Sequence, residues 1–161
     1  MNAVWQRFTA ESRVLRPLCG ASSIGYLPAL TMPWLIGFLS RDLGYTGARA
    51  GTIVTVQLGC LAATTILLGS RIQRVNRRLA ALAGAFAMIA CGLALIVNAP
   101  AVWLIAFLAV AGAGCGACNA AGSSLVSQAA DPVRMASNCW GWIVIWQTAI
   151  WLATPLATEH L

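Results

Sequence analysis

Long runs of apolar residues alternate with short polar segments along this chain of 161 residues. Each run is long enough to cross a bilayer as a helix, which takes about 20 residues. The pattern predicts an all-α polytopic membrane helix bundle with about five transmembrane helices, at residues 17–39, 51–68, 79–97, 101–128 and 135–157. The first span is predicted to be interrupted by helix-breaking residues, namely Gly20, Gly25, Pro28 and Pro33.

The fourth predicted span is rich in small residues, which let neighbouring membrane helices approach closely. Small side chains recur there at intervals of four on two faces. One face carries Gly112, Gly116 and Ala120, and the other carries Gly114, Cys118 and Gly122. The sequence therefore predicts close helix packing on both of these faces.

Composition supports an integral membrane protein. The chain is 60% hydrophobic and 9% charged, with a mean hydropathy of +0.79, whereas soluble domains are about a quarter charged. All ten cationic residues are arginines, placed at the ends of apolar runs. This placement is typical of topology signals and anionic headgroup contacts. It predicts the lipid bilayer as a partner, and no nucleic acid.

The arginines also predict the orientation, because short basic loops stay in the cytoplasm. With the amino terminus inside, the inner segments carry every arginine except Arg41 and Arg49. The predicted organisation is a cytoplasmic lead-in at 1–16, a membrane domain at 17–158 and an outer tail at 159–161. The expected location is the inner (plasma) membrane of a bacterium.

The most basic segment lies between the second and third spans. Residues 69–78, which we call the arginine loop, contain Arg71, Arg74, Arg77 and Arg78. Each arginine costs a few kcal/mol or more in hydrocarbon. The segment is therefore predicted to be a tight loop in water, on the cytoplasmic side.

This loop resembles a signature of the major facilitator superfamily of transporters, between the second and third helices. The signature runs Gly, three residues, Asp, Arg or Lys, any residue, Gly, Arg, then Arg or Lys. Gly69, Arg74 and the pair Arg77 and Arg78 match it. Gln73 replaces the acid, which removes the charge of the ionic latch that the family forms there. Asn76 replaces the second glycine and is one of the few residues that tolerate a left-handed backbone.

The resemblance implies the first half of a two-part transporter fold, in which the halves rock around a central site. It implies transport of a small solute, without enzymatic activity, cofactor or metal. Because one half cannot enclose a pathway, the chain is expected to be an amino-terminal fragment or a half that pairs with another chain or copy. The alternative is a helical membrane interaction protein that has lost transport.

The same resemblance suggests two groups of functional residues. The gating loop would comprise the arginine loop and the end of the fourth helix: Gly69, Gln73, Arg74, Asn76, Arg77, Arg78, Asp131 and Arg134. The cavity would use polar residues inside the spans: Ser22, Ser23, Tyr26, Gln57, Asn119, Ser123 and Gln147. Hydrogen bonds between helices are the simpler explanation for the second group. No predicted span contains Asp, Glu or Arg, so this half is not expected to relay protons by itself.

Cys115 and Cys118 have the spacing of a redox pair, which suggests a membrane thiol oxidoreductase as a further alternative. Such enzymes also need cysteines in an outer loop, and none of the six cysteines lies in one. Thiols inside an apolar helix react poorly. The sequence therefore favours small packed side chains at all six positions.

Overall fold

The computed structural model describes the backbone of residues 2–96 and 101–158, and the side chains of 19–72, 74–94 and 103–152. Within these ranges the chain forms an all-helical bundle, as predicted. Its helices are α1 (Asn2–Arg41), α2 (Gly47–Gly69), α3 (Arg77–Ile96), α4 (Ala101–Val126) and α5 (Pro132–Thr158), with a 3-10 turn at Ile72–Arg74. The predicted outer tail at 159–161 lies outside the described residues.

Helix α1 differs from its prediction in two ways. It runs continuously from Asn2 to Arg41, so the predicted lead-in is the beginning of this helix and not a separate segment. The helix is also not interrupted at its prolines. Each proline removes only one backbone donor, and membrane helices tolerate this where neighbouring groups compensate. Pro28 is fully buried among the other helices.

Helix α4 is the centre of the bundle and packs against α1, α2 and α3. A Cβ atom on Gly112 would overlap the carbonyl oxygen of Gln57 in α2. On a different face of α4, a Cβ on Gly114 would lie 2.9 Å from the Gly84 Cα in α3. The prediction of two closely packed small-residue faces is therefore confirmed.

Four helical segments are long and apolar enough to cross a membrane: Cys19–Arg41, Gly47–Gly69, Arg77–Ala94 and Trp103–Val126. Over its described residues, α5 does not reach the same hydropathy. Polar residues along it explain the difference, namely Arg134, Ser137, Asn138, Gln147 and Thr148. The protein is thus an integral membrane protein with four evident spans, and the fifth span stays a prediction.

Reporter fusions decide whether α5 crosses the membrane. We expect alkaline phosphatase to be inactive when it is fused after Ala130, and active when it is fused after Leu161. This result follows from an internal amino terminus and five spans. Fluorescent-protein fusions at the same positions provide the control, because they fluoresce in the cytoplasm. A fluorescent, phosphatase-inactive fusion at Leu161 would contradict the prediction.

Candidate functional site

One turn of α1 concentrates polar side chains in the interior of the bundle. This polar turn, residues 22–26, contains Ser22, Ser23 and Tyr26. Ser22 is buried, and the Ser23 hydroxyl oxygen is buried without a hydrogen-bond partner among the described residues. A buried hydroxyl with no partner costs about 1–3 kcal/mol. The polar turn therefore contains an unused hydrogen-bonding group at a protein-lined position.

The polar turn contacts both α4 and α5. A Cβ atom on Gly25 would lie 3.0 Å from the backbone nitrogen of Asn119, so α1 and α4 meet almost backbone to backbone. On the other side, the Tyr26 and Trp140 rings lie 4.8 Å apart between centroids, with 43° between their planes. The arrangement joins hydroxyl and amide groups to an aromatic pair. Hydroxyl, amide and aromatic groups of this kind also line small-molecule sites in proteins.

Two further buried amides lack partners. Gln57 in α2 and Gln147 in α5 are 3% and 6% exposed, and the Oε1 atom of each has no hydrogen bond among the described residues. Gln147 continues a buried stripe of α5 that includes Cys139 and Ile143, at intervals of four. Three helices thus each contribute one buried, unpartnered polar atom that can accept a hydrogen bond.

The remaining cavity candidates differ in their positions. Asn119 is half-buried at the contact with α1, as described above, whereas Ser123 is exposed and lies outside this group. Gly25 and Trp140 belong to the site, but the sequence does not identify them. The only signal for Gly25 is that it is a small residue within the polar turn. Trp140 can be identified only when the alignment of α1 with α5 is known. Trp142 and Trp146, which are one turn apart, are about half exposed.

The arginine loop is anchored at two of its residues, Ile72 and Asn76. Ile72 is buried against Ala120 and Ala121 of α4. At the start of α3, the Asn76 side chain accepts hydrogen bonds from the backbone amides of Arg78, at 3.1 Å, and Leu79, at 3.4 Å. Asn76 therefore caps α3, a role that asparagine performs well, and this explains its presence without a left-handed backbone.

One hydrogen bond joins the arginine loop to the segment after α4. The Arg77 Nη1 atom donates to the Gln128 Oε1 atom at 3.0 Å. Both side chains are at the surface, so the bond contributes about 1 kcal/mol or less. It nevertheless shows that the two loops meet at one end of the bundle.

Asp131, which the resemblance places in the gating loop, forms no ion pair with the described side chains of the loop arginines. Asp131 Oδ1 instead accepts a hydrogen bond from the Arg134 backbone amide at 3.0 Å, and so caps α5. A carboxylate is a strong helix cap, and the residue order Asp-Pro at a helix start favours this use. No ion pair occurs among the side chains that the structure describes, and the Gln73 side chain is not among them.

The cysteines have the environment of packing residues. Cys115 and Cys118 are completely buried, and the Cys118 Sγ atom donates to the Ala81 carbonyl at 3.4 Å. All six cysteines are free thiols. The pair therefore lies inside the contact between α3 and α4, where an external thiol has no access.

We expect the double variant Cys115→Ala/Cys118→Ala to fold, with a small loss of thermal stability, because it removes only two sulfur atoms. Its gel mobility should not change on reduction, and neither should that of the parent. Cys60→Ala, a change at a half-buried cysteine in α2, is the control. A reduction-dependent mobility shift of the parent that the double variant lacks would favour the redox alternative.

The described residues contain no group of three or more His, Cys, Asp or Glu side chains that could hold a metal ion. In comparisons with known proteins, no family model matches the chain, and neither a curated protein nor a solved structure matches it. What its composition and fold show is an integral membrane protein built as a bundle of α-helices.

Proposed function

We propose that this chain is the amino-terminal part of a secondary transporter of the major facilitator type, and that it binds a small polar solute at the polar turn of α1. A second half or a second copy would complete the pathway. The amino terminus would lie in the cytoplasm of a bacterium. The proposal rests on the resemblance of the arginine loop and on the polar atoms inside the bundle.

The observation that carries the proposal is the buried Ser23 hydroxyl without a partner, on the turn of α1 that touches both α4 and α5. Polar groups inside membrane bundles usually bond to a neighbouring helix. A group that is buried and left unpaired lowers stability. A ligand that supplies the missing hydrogen bond explains why such a group would be retained.

The lack of charged residues in the spans limits the charge of the solute. Within 19–39, 51–68, 79–94 and 103–126 the chain contains no Asp, Glu, Lys, Arg or His. A strongly charged solute would lose its hydration there without gaining a counter-charge, which is costly. The site therefore favours an uncharged solute that donates and accepts hydrogen bonds, such as a sugar, a polyol or an amide.

Uptake by membrane vesicles from cells that naturally produce the chain tests this function. The vesicles retain any second half, and a panel of labelled sugars, polyols, amides and organic acids would be offered to vesicles with and without the chain. We expect an uncharged member to enter only with the chain present. The variant Ser23→Ala should reduce its uptake about tenfold, the equivalent of one lost hydrogen bond.

The matched control is Ser124→Ala. Ser124 is also buried, but its hydroxyl donates to the Ala121 carbonyl of its own helix at 2.8 Å, so its loss should leave uptake unchanged. Equal uptake with and without the chain would contradict the transport function. Uptake that is normal in Ser23→Ala would contradict the assignment of the site.

A further inference from the structure

We propose that the arginine loop and the start of α5 together form a binding site for the headgroups of anionic phospholipids. The site is a basic patch, which we define as the arginines of these two segments: Arg71, Arg74, Arg77, Arg78 and Arg134. This inference does not depend on the transport function.

The direction of the helices brings these arginines to one end of the molecule. Gly112 of α4 meets Gln57 of α2, and four residues later Gly116 meets Leu61, so α2 and α4 run in the same direction. Both helices therefore end at the same surface, where α3 begins. The hydrogen bond between Arg77 and Gln128 joins the two loops at this surface.

The positive charge of the patch is not neutralised by the described part of the protein. Arg71, Arg74, Arg78 and Arg134 are exposed. Asp131 is the acidic residue that directly precedes α5 at this end of the bundle. One of its oxygens already accepts a hydrogen bond as the cap of α5. No ion pair forms between the described side chains. The patch therefore retains a net charge that attracts anions.

Apolar side chains on both sides place the patch at the level of the lipid headgroups. Ile66 and Leu67, in the last turn of α2, are 73% and 68% exposed, and Leu79, in the first turn of α3, is 63% exposed. In an integral membrane protein, exposed apolar side chains of this size lie in hydrocarbon. The loop arginines lie between these two turns in sequence. They must then reach the phosphate layer immediately above the hydrocarbon.

The loop is also held in position, which favours a defined site. Buried Ile72 fixes it against α4, and the Asn76 cap fixes the start of α3. Arginine is suited to phosphate, because its guanidinium can donate two parallel hydrogen bonds to phosphate oxygens. A phosphate attached to a lipid is already at this depth, whereas a soluble phosphate must compete with water. The occupant is therefore a lipid.

Native mass spectrometry of the whole chain in detergent tests the proposal. The protein would be titrated with phosphatidylglycerol, phosphatidylcholine or inorganic phosphate. We expect phosphatidylglycerol to bind at least tenfold more tightly than phosphatidylcholine, and inorganic phosphate at millimolar concentration not to displace it. The double variant Arg71→Gln/Arg74→Gln should weaken phosphatidylglycerol binding about 30-fold, since each arginine near an anionic surface contributes about 1 kcal/mol.

The control is Arg41→Gln/Arg49→Gln. It removes the same charge at the other end of the bundle, where α1 ends and α2 begins. Both control positions are exposed, and this variant should keep the preference for phosphatidylglycerol. Equal loss in the two double variants would overturn the proposal, because it would show a general effect of net charge. Equal binding of the two lipids by the parent, or displacement by inorganic phosphate, would overturn it as well.

Discussion

Gly112→Val should lower the free energy of unfolding by about 3 kcal/mol, at the upper end of the usual cost of overpacking. The physical reason is the carbonyl oxygen of Gln57, which occupies the space that the first side-chain carbon would need. Backbone atoms cannot rotate away as a side chain can, so α2 and α4 would have to separate along their whole contact. Thermal unfolding in detergent, followed by size-exclusion chromatography, measures the loss.

Gly59→Val provides the matched control for this variant. Gly59 lies in α2, two residues from Gln57, and a Cβ atom there would meet no atom within 4 Å. Valine replaces a residue with poor helix propensity in both cases, so only the contact with the neighbouring helix differs. If both variants lost the same stability, the close approach of α2 and α4 would not be its cause.

Gln57→Leu should have the opposite effect and raise the free energy of unfolding by about 1–2 kcal/mol. Leucine has nearly the same size, and the substitution removes a buried amide oxygen that has no hydrogen bond, which otherwise costs about 1–3 kcal/mol. The same thermal assay measures the gain.

Gln128→Leu is the control for this second prediction, since Gln128 is an exposed glutamine whose side chain accepts a hydrogen bond from Arg77. We expect its stability to change by less than about 1 kcal/mol, as is typical of surface contacts. A fall in stability for Gln57→Leu would show that the Gln57 amide has a partner in the protein. The explanation of the polar interior by a missing ligand would then be wrong for α2.

The helical bundle could be predicted from the sequence because its causes are local. Apolar runs of sufficient length must be helical in a membrane, where every backbone group needs an internal partner. The small residues of α4 indicated close packing on two faces, and contacts at Gly112 and Gly114 confirm it. Helix α2 also begins with a local cap, since the Thr46 hydroxyl accepts a hydrogen bond from the Arg49 amide at 3.4 Å.

The contacts between distant segments could not be predicted in the same way. The pairing of Tyr26 with Trp140 depends on how far α5 slides along α1, and no local pattern records that register. Asp131 was assigned to the gating loop by resemblance, but at the start of α5 it accepts a hydrogen bond from the Arg134 backbone amide. Continuity of α1 through Pro28 likewise depends on neighbouring helices, which the sequence of α1 does not contain.

The weak attachment of α5 has a consequence for how the protein is made. Because α4 packs against α1, α2 and α3, whereas α5 packs mainly against α1, the first four helices can complete their mutual contacts before α5 leaves the ribosome. Helix α5 then joins an assembled unit and closes over the polar turn. Biogenesis would thus proceed in two stages, and the insertion machinery would have to tolerate an open flank of α1 during the interval between them.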